Sequence, residues 1–223
     1  MTPPQSATRR PPTKSELTRQ RILNAAAQVL VRDGYTGARL AAIAEAAGLQ
    51  IGSLYYHFDN RDQLVQEVLE YGIDYTFEHV STTVAALPDD TPPRETLSVA
   101  IRAFLEAIIG LGSMSPAHNR TFRQLPEEMR RRLAPRRKEF GLLWQHLIAD
   151  AIESGDLRAD TDPYLLQLFI VHTAEQAPDW PESTKRSPAE LAATVERLIM
   201  DGVSVHPDSS SRPADEPHSA SER

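Results

Sequence analysis

The chain has 223 residues, 40% of them hydrophobic and none of them cysteine, with a net charge of −7. This length allows one large domain or two small ones, and the absence of cysteine excludes disulfides, thiolate nucleophiles and cysteine-ligated zinc. No apolar run approaches the roughly 18 residues that span a bilayer, and no apolar segment follows the basic N-terminus as in a secretory signal. We therefore expect a cytoplasmic protein without membrane segments.

The apolar residues recur at helical spacing, and no alternating pattern is long enough to suggest a sheet, so we predict an all-α fold. Gly34 ends the first helix and Gly48 separates two short ones, because glycine and proline set helix boundaries. Residues 1–13 and 207–223 are too poor in apolar side chains to fold and are predicted to be disordered. The predicted helices are 15–32, 39–46, 51–57, 62–86, 93–111, 116–132, 135–154, 162–177 and 188–202.

Residues 39–58, RLAAIAEAAGLQIGSLYYHF, carry the most informative pattern. Gly48 can take the left-handed conformation of a sharp turn between two short helices, and Ile43, Leu49 and Leu54 form their predicted shared core. The other side chains of the second short helix are left partly exposed. This arrangement predicts a helix-turn-helix, in which the second helix enters the major groove of DNA.

The charge distribution agrees with a nucleic-acid interface at the N-terminus. Residues 1–61 carry 8 Lys/Arg against 4 Asp/Glu, whereas residues 62–223 carry 16 against 27. A basic head on an acidic body is typical of a chain whose N-terminal part binds a polyanion while the rest has another task.

Six segments between Thr18 and Leu64 are ordered and spaced as in a known family. They are RILNAA (21–26), GY (34–35), IA (43–44), AGL (47–49), GSLYYHF (52–58) and NRDQL (60–64). Together they resemble the TetR/AcrR family of bacterial transcriptional regulators. The chain departs from the family at Ala38, where a capping Thr is common, so that Thr36 or Gly37 would have to cap the second helix. It also opens the recognition helix with Gln50 in place of Ser or Thr.

The resemblance implies a three-helix helix-turn-helix DNA-binding domain over 14–61 and a larger helical domain for ligand binding and dimerisation over 62–206. An arm (1–13) and a tail (207–223) flank them. It also implies a ligand-responsive repressor that binds a pseudo-palindromic operator in double-stranded DNA as a homodimer. A small apolar or acyl-CoA-type effector would release the DNA, with the long fourth helix transmitting the change.

Most candidate DNA contacts also allow a structural interpretation. Gln50 and Ser53 are the predicted base readers, and Ile51 either contacts a thymine methyl or packs inside the motif. Tyr55 and Tyr56 are candidate contacts or core aromatics, and Phe58 is predicted to be core. Phosphate contacts and solvated charges are both open for the basic residues. The full candidate set is Arg39, Gln50, Ile51, Ser53, Tyr55, Tyr56, His57 and Arg61.

The C-terminal body carries two further predictions. Dense apolar residues in the last two helices predict a homodimer through residues 162–202, the alternative being an ordinary intramolecular core. Aromatic and apolar residues on three helices predict a pocket. The segment 120–138 holds eight basic residues against two glutamates, so it either binds an anionic ligand such as an acyl-CoA or forms a solvated basic face. The predicted ligand-binding residues are Phe104, Ile108, Arg120, Phe122, Arg123, Phe140 and Trp144.

This region is loosely similar to regulators of lipid and steroid catabolism in the same family that respond to CoA thioesters. An enzyme is disfavoured because the chain has no phosphate-binding glycine loop, nucleophile elbow or metal-ligand histidine spacing, and we predict no catalytic residue, metal or cofactor. A helical ligand-sensing adaptor without sequence-specific DNA binding is the remaining alternative.

Overall fold

The structure is a computed structural model that describes residues 13–112, 114, 117, 121–180 and 187–204. These residues form helices joined by turns and loops, as predicted for an all-α fold, with one isolated bridge between Leu157 and Ser204 and no strand among the described residues. A 3₁₀ turn, Phe122–Gln124, lies between α5 and α6, and a second follows α7. The helices are α1 (Lys14–Gly37), α2 (Leu40–Ala46), α3 (Ile51–His57), α4 (Arg61–Ala85), α5 (Pro93–Gly110), α6 (Glu127–Glu153), α7 (Pro163–Gln176) and α8 (Pro188–Val203).

The start of α1 lies slightly before its predicted position. Thr13, assigned to the arm from sequence, accepts a hydrogen bond from the Glu16 backbone N–H, and Glu16 reciprocates in a capping box. The rest of the arm and the predicted tail lie outside the described residues. The expected cap of α2 is wrong: this helix begins after Arg39, whose side chain makes no capping hydrogen bond, so neither Thr36 nor Gly37 caps it.

The two helices predicted over 116–132 and 135–154 are also wrong. A single helix, α6, begins at Glu127 and continues through Pro135. Proline removes one helical hydrogen bond and normally breaks a helix. Here Pro135 lies on an exposed face, where water can solvate the freed carbonyl, while Leu133 before it and Trp144 after it are buried. Tertiary packing on both sides therefore holds the helix through the proline.

Buried apolar side chains form two clusters. The head cluster contains the buried faces of α1–α3, the first half of α4 up to Ile73, and Met114, Leu125 and Leu133 from the body. The body cluster contains the end of α4 from Val80, the second half of α6, and α5, α7 and α8. Because α4 and α6 contribute to both, the head is packed directly on the segment that leads into α6.

None of the described helices has the length and apolar character needed to cross a membrane.

Gly34 interrupts α1 with φ +68° and ψ 178°, a conformation that only glycine adopts without strain. We expect Gly34→Ala to lower the free energy of unfolding by about 1–3 kcal/mol for this backbone strain, in addition to any cost of the added Cβ, which would lie 2.8 Å from Gln124 Oε1. The control is Gly110→Ala at the end of α5, where an added Cβ meets nothing within 4 Å. Urea denaturation followed by circular dichroism measures both. Equal stabilities for the two variants would contradict the assigned backbone strain.

Candidate DNA-binding and effector sites

The recognition helix α3 has the bounds predicted from sequence and is held by one buried side chain. Gly48 has φ +62°, which allows the sharp turn from α2 into α3. Leu54 is 1% exposed against the head cluster, whereas Ile51, Tyr55 and Tyr56 are 45%, 56% and 83% exposed. These three side chains therefore do not belong to the core of the chain, and the structure leaves them accessible on the surface of α3.

The remaining candidate DNA contacts in α3 and in the residues before it are exposed or half-buried. Gln50 and Arg39 are exposed, and each precedes its helix without a capping hydrogen bond from its side chain. Ser53 and His57 are half-buried, and the His57 ring packs edge-on against Tyr56 with centroids 5.1 Å apart.

Arg61 makes several contacts inside the head. Its guanidinium lies 4.3 Å from the centroid of the Tyr35 ring, pairs with Asp62 and donates to the Ala38 carbonyl at 3.5 Å. The Tyr35 hydroxyl donates to Asp62 at 3.0 Å, and burial together with this bond raises the pKa of Tyr35. Phe58 is buried, as predicted, with the Arg19 guanidinium 4.7 Å from its ring. Arg61 therefore joins α1, α2 and α4 through its contacts inside the head.

A cavity of about 130 Å³ lies between the two apolar clusters. Ile73 and Met114 line it from the head cluster, and side chains of α5, α6 and α7 line it from the body cluster. Four predicted ligand-binding residues are part of the wall: Phe104, Ile108, Phe140 and Trp144. Phe122 and Arg123 are not among the lining residues, and Arg120 lies outside the described residues.

The aromatic wall contains a buried hydrogen-bond donor without an acceptor. Phe104, Phe140 and Trp144 pack on each other with ring centroids 5.3–6.0 Å apart. Trp144 is fully buried, and its Nε1 is the only buried side-chain nitrogen or oxygen of the described part of the chain without a hydrogen-bond partner. An unpaired buried N–H is costly, so a ligand oxygen that accepts this bond would be favoured.

The described arginines of the basic segment do not converge on one anion site. Arg131 forms an ion pair with Glu127, and Arg132 forms one with Glu128. Arg136 pairs with both Asp74 and Glu139. These pairs are largely exposed, which favours the interpretation of this face as solvated surface.

Arg137 is the basic residue of this segment that lines the cavity, together with the polar residues Gln167, His172 and Glu175. Its side chain is exposed, but nearby protein atoms partly desolvate the guanidinium and lower the pKa of Arg137, an effect that the charge of Glu175 opposes. Arg137 is not among the ligand-binding residues predicted from the sequence. Its spacing could have identified it, because 137, 140, 141 and 144 share one helical face.

Family models match most of the chain. The model of bacterial regulatory proteins of the tetR family covers residues 22–68, and the model of the tetracyclin repressor-like C-terminal domain covers residues 90–203. This chain belongs to the TetR family. The predicted all-α fold with an N-terminal helix-turn-helix is therefore confirmed, as is the prediction of a DNA-binding transcriptional regulator.

Individual relatives of this TetR-family chain are also transcriptional regulators. The HTH-type transcriptional repressor KstR2 of Rhodococcus jostii (strain RHA1) is 30% identical over 163 residues, which cover 73% of this chain and 78% of KstR2. The structure of the ketosteroid transcriptional regulator KstR2 of Mycobacterium tuberculosis superposes with a TM-score of 0.74 at 23% identity, over 84% and 95% of the two chains. The structure of AibR in complex with isovaleryl coenzyme A and operator DNA superposes with a TM-score of 0.67 at 22% identity, and the match covers 82% of this chain and 98% of AibR.

Proposed function

We propose that this chain is a cytoplasmic repressor that binds a pseudo-palindromic operator as a homodimer and releases it when an acyl-CoA-type effector enters the cavity. The observation that carries the proposal is the position of the cavity, which lies between the cluster that contains the helix-turn-helix and the cluster that contains α7 and α8. A ligand at this position contacts both clusters and can favour one arrangement of them over another.

The exposed side chains of α3 favour sequence-specific DNA binding over a ligand-sensing adaptor. We assign base contacts to Gln50, Ile51 and Ser53, and phosphate contacts to Tyr55 and His57, with Arg39, Tyr56 and Arg61 as further contacts at the edges. With two heads, about 4–8 phosphates would be neutralised, and the logarithm of affinity would fall by about 0.9 per phosphate and per decade of salt.

Replacing Gln50 tests the assignment of base reading. We expect Gln50→Ala to relax the preference at one position of each half-site, at a cost of about 1–3 kcal/mol for the preferred base. Selection from a randomised duplex pool, followed by fluorescence anisotropy, measures the change. Tyr56→Ala is the matched control, because removing an exposed ring should weaken binding to all sequences without changing stability. An equal loss on all sequences for Gln50→Ala would contradict its role.

The dimer is proposed through the outer faces of α7 and α8. The apolar residues of these helices divide into two sets, of which the first, including Ile170 and Ile199, is buried in the body cluster. The second set is large and exposed: Leu165 at 62%, Phe169 at 58% and Leu198 at 72%. Exposed apolar surface of this kind is typical of an interface, and a second copy of the chain is the partner that a two-fold operator requires.

Phe169→Glu tests this interface. A buried unpaired carboxylate at the centre of a dimer is strongly unfavourable, so we expect this variant to sediment as a monomer and to bind operator DNA poorly. Leu142→Glu provides the control, because Leu142 is also an exposed apolar residue, 41% accessible, but lies on α6. Analytical ultracentrifugation of both variants decides. A dimeric Phe169→Glu variant would place the interface elsewhere.

The cavity favours a compact apolar group joined to an anionic one. Its volume of about 130 Å³ is close to that of engineered protein cavities of about 150 Å³ that bind benzene. The aromatic wall suits an acyl group, the Trp144 N–H can donate to its carbonyl oxygen, and Arg137 can pair with a negative charge. The isovaleryl coenzyme A bound to AibR belongs to this ligand class.

Arg137 and Glu175, which carry opposite charges, both line the cavity. Removing each charge by a separate substitution therefore tests whether the effector is anionic or cationic. At a concentration of 100 Kd, isovaleryl-CoA should stabilise the wild type by about 2.7 kcal/mol. We expect Arg137→Gln to reduce this stabilisation and Glu175→Gln to increase it, measured as thermal shifts. Arg132→Gln, in the same basic segment but paired with Glu128 outside this cavity, should have no effect. The opposite order, with stabilisation by cationic compounds only, would reject the anionic effector.

A further inference from the structure

One hydrogen bond joins the DNA-binding head to the segment beside the effector cavity. The Tyr35 backbone N–H donates to Gln124 Oε1 at 3.0 Å. The same carboxamide lies so close to Gly34 that a Cβ at this position would be 2.8 Å from Oε1. The break of α1 at Gly34 therefore does more than end a helix, because it brings the chain against a side chain of the body.

The same 3₁₀ turn contacts the cavity wall through its first residue. The guanidinium of Arg137, which lines the cavity, lies 4.0 Å from the centroid of the Phe122 ring. Phe122 and Gln124 are the two ends of this three-residue turn, and Leu125 after it is buried in the head cluster. Arg137 therefore contacts, beside the cavity, a turn that is attached to the head.

Tyr35 connects this turn to the helix-turn-helix. Its hydroxyl donates to Asp62 at the start of α4, and its ring lies under the guanidinium of Arg61. Arg61 in turn donates to the carbonyl of Ala38, two residues before α2 begins at Leu40. Each contact in the series from the cavity to α2 is direct.

We propose that Gln124 is a positioning residue for DNA binding, which couples the cavity, through Arg137 and Phe122, to the orientation of the head. This inference rests on the proposed function, since it requires a head that binds DNA and a cavity that binds an effector. An anionic effector draws the Arg137 guanidinium away from the Phe122 ring, and the 3₁₀ turn shifts. This shift changes the hydrogen bond that Gln124 accepts from the Tyr35 backbone N–H. The effector acts because its affinity differs between the two positions of the head.

This route is separate from transmission along α4, which also runs from the head cluster into the body cluster. If α4 alone transmits the change, substitutions at Gln124 leave the effect of the cavity on DNA binding intact. The two routes therefore predict different results for the same variants.

A double-mutant cycle on the full-length protein tests the inference without an effector. The DNA is a duplex selected from a randomised pool by the wild type, and its Kd is measured by fluorescence anisotropy for Arg137→Ala, Gln124→Ala and the double variant. We expect Arg137→Ala to change the Kd by about fivefold or more in the wild-type background. In the Gln124→Ala background the same change should have less than about a twofold effect.

Two further backgrounds separate positioning from general damage. Gln124→Glu keeps an oxygen that can accept from the Tyr35 N–H, so it should restore the response of the Kd to Arg137→Ala. Gln28→Ala, which removes an exposed glutamine on α1, should leave that response unchanged. Additive effects of Arg137→Ala and Gln124→Ala, or no response in the wild type, would overturn the inference and leave the proposed function intact. Failure of the wild type to select any duplex would overturn both.

Discussion

The packing of two apolar clusters along shared helices is the constraint on which the rest of the structure depends. Each of α4 and α6 is buried at one end against the helix-turn-helix and at the other against α5, α7 and α8. Neither helix can shift without disturbing one cluster or the other, because close-packed interiors respond to strain by discrete rearrangement. The cavity lies where these clusters meet, so a ligand that fills it would contact both head and body rather than either one alone.

The polar groups of the cavity make it a poor site for a purely apolar molecule. The unpaired Trp144 N–H costs about 1–3 kcal/mol in a buried site, and this cost is recovered only by a ligand that offers an acceptor. Arg137 and Glu175 lie in the same wall and oppose each other in charge. The proposed effector, with both an acyl carbonyl and a negative group, would satisfy the indole and the guanidinium together, which neither a hydrocarbon nor a cation would do.

Features set by local sequence could be predicted, and features set by distant contacts could not. The bounds of α3 followed from Gly48 and from one buried leucine, Leu54, because turn and helix signals act over a few residues. The continuation of α6 through Pro135 depends on burial at both ends of the helix, which a local helix-breaking rule does not contain. The contact between Gln124 and Tyr35 joins residues 89 positions apart, and no pattern in either segment identifies the other.

The strength of the contacts between head and body suits a switch. A 100-fold change in DNA affinity corresponds to about 2.7 kcal/mol of coupling. A single hydrogen bond such as that from Tyr35 to Gln124 contributes about 0.5–1.5 kcal/mol, and a partly desolvated contact such as that of Arg137 on Phe122 about 0.5–2 kcal/mol. Their sum is comparable to the required coupling. Much stronger contacts would fix the head in one position. Much weaker contacts would let the head move whether or not a ligand fills the cavity.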